Sequence, residues 1–229
     1  MASVRSRRER PAKPALSRDW IVAETIEIMR TEGLEKATMR RVAQALDTGP
    51  ASLYVYVANT AELHAAVLDE LIASLEPGEG DWRARLEGLL GSYADVLYAY
   101  PGLARSALLL RPTGPHAVRL YDTILGLLLE GGIGASRAAW GVDLLLQYVT
   151  ASAAEHSTPG PEAVPESAEG QLHALTVALR SADPEDAPHV AAHADAVVSG
   201  TPAERTSWAI AALVAGIAAS PDPRGGDEP

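Results

Sequence analysis

Apolar residues in this chain recur at intervals of three and four, and nowhere convincingly at two. Val22, Ile26 and Met29 fall on one face of a helix over 18–32, with Ile21, Thr25 and Ile28 beside them. The β-rich triplet Val55-Tyr56-Val57 is too short for a strand and lies in a helical context. That periodicity restricts the chain to an all-α fold. Its 229 residues suffice for one sizeable core or two small ones. With no phenylalanine, Leu, Ile, Val, Trp and Tyr must fill the core. With no cysteine, a disulfide framework, a thiol nucleophile and a thiolate zinc site are excluded.

Charge is divided along the chain. Residues 1–60 carry ten basic and seven acidic side chains, while 61–229 carry nine basic and 23 acidic. A basic head on an acidic body suits nucleic-acid contact at one end, because the body repels DNA and keeps the contact local. Residues 1–16, rich in Arg, Ser, Ala and Pro, read as a flexible basic arm. Residues 17–76 read as a compact helical domain, closed by the break Pro77-Gly78-Glu79-Gly80. Residues 77–229 read as a larger helical domain, with helices over 81–100, 135–156, 165–182 and 203–220. Irregular segments are expected near 157–164 and 183–202, the latter carrying Pro184, Pro188 and Pro202. The longest uncharged apolar run, 209–219, is too short to span a bilayer. No apolar stretch follows the first arginines, so no secretory signal is expected and the cytoplasm is.

The head holds the informative pattern. Gly33 can end the first helix, and Thr38 can cap a second over 39–46, with Arg40 and Arg41 near its start. Asp47-Thr48-Gly49 forms a three-residue turn, and Pro50 suits the first position of a third helix over 50–56. Asn59 and Glu62 resemble a capping box for a fourth helix over 60–75. Two short helices joined by a three-residue turn make a helix-turn-helix, whose second helix can enter the major groove.

These residues resemble the tetracycline-repressor (TetR) family. The match lies in Thr38-Met39-Arg40-Arg41-Val42-Ala43-Gln44-Ala45-Leu46, then Pro50 through Val57, then Glu62-Leu63, within a span of about 18–75. Asp81-Trp82-Arg83, Tyr100-Pro101-Gly102-Leu103-Ala104 and Leu128-Leu129-Glu130-Gly131-Gly132 resemble the ligand-binding half of the tetracycline-repressor branch. The resemblance implies that Arg40 reaches a base edge, plausibly guanine, whose O6 and N7 match a guanidinium. It implies that Pro50 and Ala51 pack on base edges, and that Ser52 and Tyr54 hold phosphates. Tyr56 would touch backbone or a thymine methyl. Tyr54 and Tyr56 point differently on a helix, so one of them is expected partly in the core. Where the family has Gly-Val in the turn, this chain has Asp47-Thr48, and Asp tolerates a left-handed backbone. Where the family often has a phosphate-binding lysine, Thr60 offers a hydroxyl without charge.

The acidic body has no enzyme signature. His189 and His193 stand four apart with Asp195 near, but no H-E-x-x-H occurs and they read as surface histidines. The Gly131-Gly132-Ile133-Gly134 stretch follows a helix and reads as a cap, not a phosphate loop. No metal and no cofactor are expected. Trp82, Tyr93, Trp140, Asp143, Gln147 and Tyr148 are expected to border an effector cavity between helices 81–100 and 135–156, with Asp143 or Gln147 orienting the ligand. In the tetracycline-repressor branch a histidine ahead of Arg-Pro-Thr helps ligate the drug's magnesium. Here Arg111-Pro112-Thr113 is present but the matching position is Ala107, which argues against a magnesium–tetracycline ligand. A stripe of Ala209, Ala212, Leu213, Gly216 and Ile217 permits close helix approach and a homodimer interface.

The sequence thus reads as a helix-turn-helix domain joined to a ligand-binding and dimerisation domain. The expected protein is a homodimeric transcriptional regulator, a repressor on double-stranded DNA with a pseudo-palindromic operator. A small apolar or aromatic effector would release it. The alternative is a degenerate family member acting as a protein-interaction module without operator binding.

Overall fold

A computed structural model describes residues 15–155 and 168–223, and among these residues there is no strand. The expected basic arm lies almost wholly outside the described residues, and the break expected near 157–164 lies entirely outside them. The chain forms two compact units that divide at residue 60, sixteen residues before the boundary expected from the Pro-Gly break.

Among the described residues the first unit holds three α-helices and a short 3₁₀ turn, Leu34–Lys36. Helix α1, Arg18–Glu32, starts where Ser17 Oγ accepts the Trp20 N–H at 3.2 Å. It ends at Gly33, whose φ of 95° with ψ of 156° suits only glycine. Helix α2, Met39–Ala45, is capped by Thr38 as expected, its Oγ1 accepting the Arg41 N–H at 3.2 Å. Asp47 takes the left-handed backbone, φ 49°. Helix α3 is Pro50–Leu53 only, shorter than the helix expected over 50–56. Residues 54–56 form a turn instead. Pro50 fixes its first position but Gly49 supplies no side-chain cap, so the helix depends on packing against α2.

The second unit begins with α4, Thr60–Leu71, which runs into a 3₁₀ turn, Ile72–Ser74. Helices α5, Trp82–Ala99, α6, Pro101–Leu109, and α7, Pro115–Glu130, lead to α8, Ala135–Glu155. Then follow α9, Ala168–Arg180, α10, Pro188–Val197, and α11, Pro202–Ala219. Helix α8 is the centre of the bundle and packs on α5, α6, α7 and α11. Its Leu145 and Val149 are fully buried among Leu90, Leu97, Ile124 and Val214. Each such side chain contributes about 1.5–3 kcal/mol by leaving water.

Segment 183–202, expected to be irregular, contains α10. The prolines were misleading because Pro188 and Pro202 occupy first-turn positions, where no N–H is needed. Pro101 and Pro115 start α6 and α7 in the same way. Thr201 and Glu204 form a complete capping box on α11. Helix α9 packs on α10, and within α10 Ala194 alone is buried.

Polar contacts fix the helices of the bundle. Asp69 of α4 is buried, and its Oδ1 accepts the Ala117 N–H at 2.7 Å, serving as the cap that Gly114 lacks at the start of α7. A Cβ at Gly114 would lie 2.1 Å from Asp69 Oδ2, so the close approach requires glycine. On α8, Arg137 donates to the carbonyls of Ala218 at 2.8 Å and Ser220 at 3.0 Å, closing the C-terminal end of α11. Tyr98, Ser152 and Thr206 join hydroxyls between α5, α8 and α11, the Tyr98–Thr206 contact being 3.0 Å.

Candidate nucleic-acid interface and effector cavity

In the first unit the two arginines of α2 separate by function. Arg41 turns back to form an ion pair with Glu32 at the end of α1. That pair raises the guanidinium's already high pKa and lowers that of the carboxyl, chiefly through their hydrogen bond. Arg40 is exposed. Leu53 and Val57 are buried, while the residues around them face outward. Pro50, Ala51 and Thr60 are exposed, Ser52 is half-buried, and Tyr54, Val55 and Tyr56 are 54%, 81% and 36% exposed. The expectation that one tyrosine is partly core does not hold. Because α3 ends at Leu53, the turn points three consecutive side chains out. Proline, alanine, valine and two phenol rings are thus exposed on α3 and its turn, and α2, which packs on α3, exposes one strong bidentate donor.

In the second unit a cavity of about 90 Å³ opens between α5, α6, α7 and α8, with Ile72 on its wall. Tyr93 lines it and is buried; its hydroxyl meets Thr150 Oγ1 at 3.1 Å. Burial pushes the Tyr93 phenol pKa up, so the group stays a neutral donor or acceptor. Gln147 also lines the cavity. Arg111 and Tyr121 line it as well, with Arg111 Nη1 donating to Tyr121 Oη at 3.3 Å and forming an ion pair with Asp143. Ala107 places a methyl on the cavity wall. Among the described residues no cluster of three His, Cys, Asp or Glu could hold a metal.

The other expected lining residues are placed differently. The Trp82 ring packs against Gly131 at the end of α7, where an added Cβ would meet it at 2.5 Å. Tyr148 is half-buried against the core. Trp140 is 60% exposed. With Asp143 and Gln147 it borders a second, open depression of about 520 Å³ between α8 and the end of α11. Gln147 belongs to both spaces. Apolar spacing cannot separate a lining position from a core one, which is why the expected set divides. Arg111 and Tyr121 are additions. The signal for Arg111 was the Arg-Pro-Thr stretch, which in sequence terms served only to locate Ala107; Tyr121 had none.

Beside the cavity, His64 Nδ1 lies 2.7 Å from Ser106 Oγ, tying α4 to α6. Burial pushes the His64 pKa down, so the imidazole is neutral. The stripe on α11 is split. Ile217 is buried and packs within 3.1 Å of where a Cβ on Gly141 would sit, Leu213 and Ala209 are half-buried, and Ala212 and Gly216 are exposed. The outer face also presents Trp208, 74% exposed, near in sequence to these small residues.

Residues 75–220 match the tetracyclin repressor-like, C-terminal domain. The chain belongs to the tetracycline-repressor family. This family consists of transcriptional regulators, not enzymes. The chain is 32% identical over 151 residues to the transcriptional repressor DrrR1 of Streptomyces coeruleorubidus, covering 64% of this chain. It spans 56% of that relative's length. It is 26% identical to the class C tetracycline repressor protein of Escherichia coli, covering 69% of this chain and 73% of that protein. Among solved structures, SCO7704 of Streptomyces coelicolor superposes with a TM-score of 0.78 at 50% identity, covering 92% of this chain and 98% of that one. ActR of Streptomyces coelicolor in complex with actinorhodin gives 0.74 at 31% identity, covering 89% and 96%. Among the described residues of this tetracycline-repressor family member, no helix is long and apolar enough to cross a membrane.

Proposed function

We propose that this protein is a homodimeric repressor that binds a pseudo-palindromic operator through its first unit and releases it when an aromatic effector fills the cavity. The observation that carries this reading is the exposure of Pro50, Ala51, Tyr54, Val55 and Tyr56 on α3 and its following turn, together with exposed Arg40 on the neighbouring α2, in a short helix-turn-helix. The DNA-binding part is the first unit, up to residue 60, and the effector and dimer part is the second, acting in the cytoplasm. Relatives with repressor activity, and the ActR complex with actinorhodin, support the assignment. The effector must bind the DNA-incompetent state more tightly, since equal affinity for both states shifts nothing. Operator DNA then weakens effector binding by the same factor.

Arg40→Ala is expected to cost about 1–3 kcal/mol of operator affinity and to relax preference at one base pair per half-site. A gel-shift series at fixed salt with single-base operator variants measures both. Unchanged affinity removes Arg40 from the contact.

Dimerisation through α8 and the outer face of α11 is tested at Gly216. A Cβ there meets nothing within 4 Å in the single chain, so Gly216→Leu leaves the subunit intact. In a close helix–helix contact the same side chain overpacks, at about 1–3 kcal/mol per subunit. Sedimentation should show a dimer at micromolar concentration for the native chain and dissociation for the variant, with helix content preserved. A variant that sediments as the native chain does would move the interface elsewhere.

A further inference from the structure

Arg111 is the cationic side chain on the cavity wall, and the way it is held specifies the ligand. Both of its described bonds, to Tyr121 Oη and to Asp143 Oδ1, leave from the one nitrogen Nη1. Asp143 approaches from outside: it borders the open depression beside Trp140 and does not line the cavity. The guanidinium is therefore anchored by one corner. Its Nε–Nη2 edge keeps two parallel N–H donors, the fork that matches a carboxylate. The ion pair itself is about half-exposed on both partners, so it positions Arg111 without consuming its charge. The rest of the wall is the rings of Tyr93 and Tyr121, aliphatic groups such as Ile72 and Leu146, and the uncharged polar side chains of Gln147 and Thr150. Tyr93 already shares its hydroxyl with Thr150.

We propose that the effector is an aromatic carboxylate, whose ring lies against Tyr93 and Tyr121 and whose carboxylate takes the Nε–Nη2 edge of Arg111. This rests on the reading of the cavity as the effector site. Asp143 acts through Arg111 as a positioning residue and does not touch the ligand. At about 90 Å³ the space is smaller than sites that enclose a drug-sized molecule, typically about 300–1,000 Å³. The carboxylate must therefore draw in a body that widens the gap between α6 and α7, and the widened state is the one the effector selects.

The probes are 2-naphthoate and its neutral near-isostere 2-naphthamide, titrated calorimetrically into the full chain. The native protein should bind naphthoate on the order of tenfold more tightly than naphthamide, as expected for charge-assisted bonds. In Arg111→Gln the ratio should fall to near one, with most of the loss falling on naphthoate. A merely structural role would weaken both probes alike. Arg111→Lys, which keeps the charge but loses the fork, should retain only part of the preference, and it decides the matter should the glutamine variant fail to fold. Equal binding of both probes to the native chain, or a preference that survives in the variants, overturns the carboxylate proposal while leaving the cavity as a ligand site. Binding of neither probe at millimolar concentration overturns the carboxylate proposal and the cavity reading together.

Discussion

Leu53→Ala should abolish operator binding while the second unit keeps its helices. Leu53 is fully buried and is the one buried residue of α3. A four-residue helix has no stability of its own, because nucleation costs more than so few hydrogen bonds return. What holds α3 is its packing on α2, and Leu53 is the side chain that α3 buries. Truncating a buried leucine costs about 2–5 kcal/mol, the transfer loss plus the cavity left behind. A unit of 60 residues has roughly 3–9 kcal/mol in total, at about 0.05–0.15 kcal/mol per residue. The loss is therefore comparable with everything the unit has. The second unit is a separate compact body and should be unaffected. A urea titration followed by circular dichroism should show an early transition of small amplitude and a later one at the native midpoint. A gel-shift should show no specific complex. Operator affinity within a few-fold of the native value would mean that α3 does not carry the contact.

Gly114→Val should lower the stability of the second unit by about 3 kcal/mol or more, combining overpacking with a lost buried hydrogen bond. Its backbone φ of −77° is ordinary, so the demand is for space. The new Cβ would fall 2.1 Å from Asp69 Oδ2 and 2.4 Å from its Cγ. Asp69 must leave, and its carboxyl then loses the Ala117 N–H in a place closed to water. For a domain of this size each kcal/mol shifts the melting temperature by about 2–4 °C, so a drop of roughly 10 °C is expected. Asp69→Ala alone loses the cap and should cost about 1–3 kcal/mol. The double variant should be less destabilised than the two losses added together, since removing Asp69 also removes the clash. Additive losses would show that the two positions do not meet.

Although the cap at Ser17 is seen only in the structure, helix α1 covers the span expected from sequence, because the three–four apolar spacing and Gly33 mark its face and its end. The cap at Thr38 and the left-handed Asp47 were equally legible. Helix α10 was not, because a proline reads as a breaker until the helix start is known. The length of α3 was not legible either: Tyr54, Val55 and Tyr56 look helical in isolation, and only the burial of Leu53 and Val57 shows where the chain turns. The cavity was half visible. Tyr93 and Gln147 reach it, but Trp82 and Tyr148, on the same faces by spacing, serve the core. A spacing rule gives the face of a helix, not what stands opposite. Arg111 sits outside any apolar period, on the connection between α6 and α7, so no periodicity argument could have found it.

The contact between Gly114 and Asp69 also limits the order in which this chain can change. With aspartate at 69, nearly every substitution at 114 meets a carboxyl group it cannot displace cheaply. With glycine at 114, position 69 can shrink at the lesser cost of one helix cap. A lineage leaving this pair must therefore alter 69 first and 114 second, and a lineage arriving at it must acquire the glycine before the aspartate. The two positions, 45 residues apart, are inherited as one character.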